Sequence, residues 1–554
     1  MEQTPVDPAA LRRRTMLSLI AWCLVLVSIA FGYFSLVPPR AVTADAPATE
    51  FSADRAMRHV EAIAREPHPM GTAALDKVRR YLVGELEELG LVPEFQAISA
   101  PNYFESGEPV DVVNVMATIP GLDSTGSIAL MAHYDTVPAT PGANDNSASV
   151  SAVLEVARSL VSGPPMRNDV LLLFTDAEEP APRYGSKAFV AASPEFEDVG
   201  FVVNLEAAGG SGPSMIAEGS GPTEWLVERY AAAAPHPTAF SFISATTSLL
   251  GDVGTDFDPF RNAGVPGYHF AYMGGSPIYH LPADSIDAVG RDSLQHHGSN
   301  ALAVARYFGG ADLTELSGTG GSVYFTVRPL FVQYPAAWSV VAALGAAALF
   351  LFGTVRRARG RESRWASARS GGIAVLLVVV ATFAATLAWL GITVVRSTPS
   401  VPESYVYLTV VVGLGVVVAA SLNRAGPERR RITGGGFVLV WVVLGLLTAF
   451  VAPGFSALFA VPALAAAVAM NWDPGDRAPS AMARFALVAV PTVVLLVPAV
   501  DFYFQMGQPR PGNPDSNIPY VAGVGFLFAL LVVGLVWTVW PTSKRPSGAP
   551  AGYR

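Results

Sequence analysis

Apolar positions along this chain follow two patterns that occupy different stretches. Near 15–37, 335–355, 372–395, 404–422, 436–452, 454–471, 484–504 and 519–540 they run on almost without interruption, each run having about the length that crosses a bilayer core. The fifth and sixth runs are short and meet at Pro453-Gly454. Between the first and second runs the pattern changes. Short apolar stretches predict strands at 113–119, 127–133, 169–176, 200–206 and 266–273, and helical spacing predicts helices over 148–161, 222–233 and 293–308. Apolar strands separated by amphipathic helices predict an α/β fold, with a mostly parallel sheet buried on both faces by flanking helices. In such sheets ligands bind beyond the carboxyl ends of the strands. His133, Asp135, Asp176, Glu178, Glu179 and Glu206 all fall at or just past such ends.

Composition sharpens the division. Of 554 residues 51% are hydrophobic and only 15% charged, whereas a soluble domain is about one quarter charged. The length allows two or three units, and a disordered or fibrous chain is excluded by the apolar content and the lack of a short repeat. Residues 39–332 hold 16 basic and 36 acidic side chains; the remainder holds 20 and 9. The net charge of −9 speaks against a nucleic-acid partner. A single cysteine, Cys23, excludes an intramolecular disulfide and a cysteine-based metal cluster. Three lysines against 33 arginines point to a GC-rich bacterial genome, and so to a bacterial plasma membrane.

The arginines also predict an orientation. With the N-terminus in the cytoplasm, 18 basic residues fall in inside segments, against Arg396 and Arg510 in outer loops of the C-terminal bundle, as the positive-inside rule requires. The expected organisation is a cytoplasmic tail and first anchor at 1–38, an extracytoplasmic domain at 39–332, a seven-span all-α bundle at 333–541 and a cytoplasmic tail at 542–554, making eight spans. The small-residue stretch after the first run would suit a cleaved signal peptide. At about 22 residues, however, that run exceeds the usual signal core of roughly 7–15, and it reads as an uncleaved anchor.

Candidate chemistry begins at 131–149. His133 at a strand end and Asp135 two residues on share one side, so His133 can ligate a metal while Asp135 orients it. Asp145 follows in a Gly-Ala-Asn-Asp-Asn turn before a helix, where a carboxylate can bridge two metals or simply cap the helix. In the stretch ending Asp176-Ala177-Glu178-Glu179, Glu179 is assigned to a metal and Glu178 to the attacking water as general base; Asp176 reads as a structural turn residue. Glu206 ends a further strand, and His280 lies in a loop at 276–287. Imidazole and carboxylate donors of this kind suit Zn²⁺. Three carboxylates and one hydroxide balance two divalent cations, which favours a pair that activates water over a single ion.

Together, His-Tyr-Asp-Thr at 133–136, Asn-Asp-Asn-Ser-Ala-Ser at 144–149, Asp-Ala-Glu-Glu at 176–179, Asn-Leu-Glu-Ala-Ala-Gly at 204–209 and Ile-Tyr-His at 278–280 resemble metallopeptidase family 28, the co-catalytic zinc aminopeptidases. Within it the chain is most similar to the membrane branch that contains endoplasmic reticulum metallopeptidase and the yeast vacuolar membrane protease. The likeness covers roughly 55–310. It implies one zinc on His133 and Glu206, a second on Glu179 and His280, Asp145 between them, Glu178 as base and Asp135 behind His133. Soluble members generally carry Asp where Glu206 stands. Thr255-Asp256-Phe257 replaces a common Ser-Asp-His pattern; Asp256 is retained, but Phe257 offers no polar group.

The other histidines invite plainer readings. His68 reads as a structural loop residue, His59, His296 and His297 as exposed or capping positions on helices, and His236 as a loop residue. His269 lies on a strand near the site. Tyr268, Tyr272 and Tyr279 are possible oxyanion donors. The bundle has no histidine, and its spans hold almost no ionisable residue besides Asp501, so a pump or coupled transporter is disfavoured. The resulting expectation is a membrane-anchored zinc peptidase acting on peptides, with the bilayer as its other partner. The alternatives are amide cyclisation of N-terminal glutamine in the same fold, or a non-catalytic receptor or scaffold.

Overall fold

The computed structural model describes residues 8–105, 107–180, 182–251, 254–316, 320–357, 427–472 and 478–507, with positions 382, 387, 520, 522–524, 526 and 527. The runs expected at 372–395, 404–422 and 519–540 otherwise lie outside the described residues.

After α1 (Pro8–Phe34) come α2 (Ala53–Ile63), α3 (Ala73–Glu88), β1 (Glu94–Ala100), β2 (Val110–Ile119) and β3 (Ser127–His133). They are followed by α4 (Ser149–Val161), β4 (Asp169–Thr175), α5 (Tyr184–Ala192), β5 (Val199–Ala207) and β6 (Met215–Ser220). Next are α6 (Thr223–Ala233), α7 (Ser241–Leu250), α8 (Phe257–Asn262), β7 (Gly267–Tyr272) and α9 (Arg291–Gly309). A hairpin of β8 (Ser322–Val327) and β9 (Leu330–Pro335) leads into α10 (Ala336–Arg357), and the helices Pro427–Val451, Ser456–Asn471 and Ala478–Met506 come last.

The sheet runs β1-β2-β4-β3-β5-β7-β6. Its centre, β4, β3, β5 and β7, is parallel; β2 and β1 on one side and β6 on the other are antiparallel. The expected mostly parallel sheet is therefore mixed, and the strand foreseen at 113–119 belongs to its antiparallel side. Side-chain alternation sorts the central strands between two helical layers. Ile128, Leu130, Leu172 and Val203 join one core with residues of α2, α4 and α9. Ala129, Met131, Leu173 and Val202 join another with Phe189 of α5 and Phe260 of α8. Truncating one of these large side chains to Ala costs about 2–5 kcal/mol.

Among the described residues, four helices are long and apolar enough to cross a membrane: Thr15–Phe34, Ala336–Arg356, Pro453–Asn471 and Met482–Met506. The run expected at 436–452 is helical, but its apolar part, Val438–Val451, is shorter. The α/β domain rests directly on these helices. Ser241 Oγ donates to Gly454 O at 2.7 Å, the Thr246 and Tyr503 hydroxyls are 2.8 Å apart, and Arg328 N donates to Ser35 Oγ at 3.2 Å. Gly454 is needed at this junction, because a Cβ there would lie 2.6 Å from both Ala245 Cβ and Ser241 O.

Candidate metal centre

Parallel strands align the chemistry. His133 ends β3 opposite Thr175 at the end of β4. The register that pairs Met131 with Asn204 carries Glu206, two residues on, to the same edge. Asp145 follows β3 in the turn Ala143–Ala148, where it leaves helical geometry (φ −105°, ψ 88°), and His280 lies in the loop after β7. The structure brings His133, Asp145, Glu178, Glu179, Glu206 and His280 into one cluster and puts Asp135 behind it.

Asp145 sits at the centre. Its Oδ1 is 3.4 Å from His133 Nε2 and its Oδ2 is 3.2 Å from His280 Nε2. Glu206 Oε2 approaches His133 Nε2 at 3.4 Å, and Glu179 Oε1 lies 2.9 Å from His280 Nε2. Glu178 is more remote, with Oε2 4.0 Å from His133 Nε2. Two trios, His133-Asp145-Glu206 and Asp145-Glu179-His280, each gather their donor atoms within 4.8 Å, as does His133-Glu178-Glu179. Asp145 Oδ2 is buried and accepts no hydrogen bond, an expensive arrangement unless a cation satisfies it. These donors fit divalent metal ions of the zinc type.

A second layer of contacts holds the donors in place. Asp135 accepts hydrogen bonds from the backbone N–H groups of Glu178 (3.0 Å) and Glu179 (3.1 Å), and its carbonyl lies 3.1 Å from His133 Nδ1. One residue thus orients a histidine and both glutamates. Asp284, which sequence reasoning missed, accepts from Asn144 N (2.9 Å), Asn144 Nδ2 (2.8 Å) and Asp145 N (3.1 Å). Tyr272 donates to Asn144 Oδ1 at 3.0 Å. Two non-glycine residues here have left-handed backbones, Ala177 (φ 60°) and His280 (φ 59°). Such conformations cost about 1–3 kcal/mol and gather at functional sites.

Burial and mutual contact set the electrostatics of the cluster. Burial raises the pKa of Glu178 well above the carboxylate range, with Glu179 and Glu206 adding to it. Burial and Asp145 push Glu179 up to about 7, and burial raises Glu206. Burial opposes charge on the histidines, but the carboxylates prevail. Glu206 and Glu178 hold His133 well above its ordinary value, and Glu179 and Asp145 lift His280 to about 10. Asp145 is lowered despite burial, because His133 and His280 flank it.

Other expectations fare unevenly. Asp176 is buried and structural, accepting from Val113 N at 2.9 Å, and His68 is a buried loop residue whose N–H donates to Thr136 Oγ1. His296 and His297 are not exposed or capping: both are fully buried. His297 Nδ1 meets Ser214 Oγ at 2.8 Å, and His296 Nε2 meets His236 O at 2.9 Å. Their partners come from distant loops, which local helical spacing does not reveal. Tyr268 turns into the core and donates to Leu226 O, so it is no oxyanion donor. Tyr279 stacks on His280 at 3.8 Å. His269 contacts Asn204 Nδ2 through Nδ1 at 3.0 Å and stacks with Phe257. Asp256 is buried, accepts from Thr175 Oγ1, and feels the charges of His133 and Asp135.

Imidazoles and carboxylates thus converge beyond the ends of the parallel strands of this α/β domain. Residues 114–305 match the model of Peptidase family M28, which bears out the resemblance carried by the motifs. The chain is 33% identical over 234 residues to endoplasmic reticulum metallopeptidase 1 of Rattus norvegicus, covering 41% of this chain and 26% of that protein. It is 26% identical over 361 residues to the vacuolar membrane protease of Candida dubliniensis, covering 63% of this chain and 38% of that protein. It thus spans about a quarter to two fifths of the length of these relatives. Among solved structures, Fimbriiglobus ruber glutaminyl cyclase aligns with a TM-score of 0.40 at 20% identity, over 49% of this chain and 99% of its own.

Proposed function

We propose that this protein is a membrane-anchored zinc-dependent peptidase, of aminopeptidase type, acting on peptides outside the cytoplasm. The carrying observation is Asp145, whose two oxygens face different histidines, each with its own glutamate. His133 and Glu206 would hold one Zn²⁺, Glu179 and His280 a second, with Asp145 shared. Bound there, the pair supplies Lewis acidity toward a peptide carbonyl and makes water acidic enough to be deprotonated near neutrality.

The remaining work falls to the chain. Glu178 stands aside from the shared carboxylate, 4.0 Å from His133 Nε2, which suits a base that takes a proton from attacking water and returns it to the leaving amine. Asp135 is a positioning residue: by gripping the Glu178 and Glu179 N–H groups it keeps base and ligand pointing in different directions. The distribution of arginines supports the wider placement inferred from sequence: eight spans, both termini cytoplasmic and residues 39–332 outside, in a bacterial plasma membrane.

The test is hydrolysis of a panel of aminoacyl chromogenic substrates by the zinc-loaded full chain. Wild type should cleave at least one, and Glu178→Gln should lose about 10²–10⁴-fold while keeping its zinc. Equal rates in both would overturn the base assignment. Inactivity of the zinc-loaded wild type, with cyclisation of N-terminal glutaminyl peptides, would replace the peptidase reading.

A further inference from the structure

A cavity of about 570 Å³ lies where the α/β domain meets the helices, lined by residues outside the metal centre. Its apolar wall includes Leu36 and Val37 just beyond α1, Ile243 of α7, Met273 after β7 and Phe502 of the Ala478–Met506 helix. Polar groups line it too: Arg291, Asp292, Asp501 and Gln505. Its volume falls in the usual ligand-pocket range of roughly 300–1,000 Å³, and apolar walls with few polar groups at a junction between units are the common form of such pockets.

We propose that this chamber holds a zwitterionic membrane phospholipid. The inference rests on the membrane placement given above. Two of the helices contributing walls are long enough to cross a bilayer, and both meet the chamber near the ends that face the α/β domain. The chamber thus lies within reach of a molecule whose acyl chains run along these helices. The charged lining selects the head group. One guanidinium, Arg291, which pairs through one nitrogen with Asp54 at 2.7 Å, has further N–H groups suited to a phosphate, while Asp292, one oxygen of which accepts from Ala41 N, and Asp501 suit an ammonium; with carboxylates outnumbering the one guanidinium, a purely anionic head is disfavoured. The apolar wall takes part of an acyl chain.

The occupant would also be felt at the metal centre. Gly274 and Gly275 line the chamber, and the next residue, Ser276, donates through its hydroxyl to the Gln505 carbonyl. Four residues on stands His280 with its left-handed backbone. A lipid packed against Met273–Gly275 narrows the freedom of the loop that presents His280, so lipid and substrate bind with positive coupling.

The full chain is reconstituted in vesicles of phosphatidylglycerol containing a phosphatidylethanolamine with a diazirine on its acyl chain, and photolabelled peptides are mapped. Label is expected on the segments around Val37, Ile243 and Phe502. It should fall to background in Ile243→Phe and in Val37→Trp, whose position at the partly exposed mouth tolerates a large side chain. Unlabelled phosphatidylethanolamine should compete, and phosphatidylglycerol should not. Label confined to outward-facing α1 positions such as Leu26 and Val27, unchanged in both variants, would overturn the chamber; equal competition by phosphatidylglycerol would overturn the head-group choice. In detergent, added phosphatidylethanolamine should lower KM by about fivefold or more in wild type and not in Ile243→Phe; an equal KM response in the two would overturn the coupling. Labelling requires no hydrolysis, so an inactive wild type would overturn the peptidase reading and still leave the lipid site decided.

Discussion

The carboxyl edge of the sheet and the helices beneath the domain bury polar groups in opposite ways. At the edge, His133, Asp135, Asp145, Glu178 and Glu179 are nearly inaccessible, and three further carboxylates, Glu178, Glu179 and Glu206, gather with two imidazoles around Asp145. In the described helices, buried side chains are almost all apolar, and their hydroxyls mostly bond back to the preceding turn, as Thr448 does to Leu444 O and Thr492 to Val488 O. Burying an unmatched charge costs several kcal/mol, so a region that keeps such charges does so for chemistry rather than cohesion.

Four substitutions or conditions sharpen that contrast, in falling order of effect. Glu178→Gln should cost about 10²–10⁴-fold in kcat/KM with zinc stoichiometry unchanged by atomic absorption; loss of zinc with activity would instead make Glu178 a ligand. Asp284→Ala frees the Asn144 and Asp145 N–H groups, and should weaken metal affinity about 10–100-fold, read by competition with a chromophoric chelator. Acid should weaken the fold through buried histidines. Burial holds His296 and His297 down to about 3. The unfolded chain therefore binds protons at these positions below its ordinary pKa near 6.5 while the folded one does not, and stability is lost as pH falls from there toward 3. The slope is about 1.4 kcal/mol per pH unit per histidine, and His296→Gln should flatten it in denaturant titrations. Leu447→Ala, at an exposed helix position, should change stability by no more than about 0.5 kcal/mol and leave kcat unaltered. A large kcat loss there would break the contrast.

How much of this was legible in the sequence follows from how local each signal is. Strands β3 and β4 are continuous apolar runs and emerge at nearly their true bounds. β1 does not, because Glu94–Ala100 is mostly exposed and its pairing with β2 is what makes it a strand. The antiparallel side of the sheet was hidden for the same reason: strand direction is a property of partners. Motif spacing singled out the residues that the fold brings around Asp145. Asp284 escaped, although it lies four residues past His280, because its partners Asn144 and Asp145 are about 140 positions away. His296 and His297 were misjudged by the same blindness, since Ser214 and His236 make their burial affordable. The membrane-length helices were plain from composition, which needs no partner.

The underside of the α/β domain carries a practical consequence. Met215, Phe240, Phe242, Ile243 and Met273 belong to one apolar cluster with Phe459, Leu496 and Phe502 of the helices. A soluble fragment cut between the anchor and α10 would turn that surface toward water, where contiguous apolar patches beyond a few hundred Å² drive association. Such a fragment would self-associate in buffer, and polar replacements at Phe242 and Ile243 are the natural route to a monodisperse preparation for crystallisation or assay.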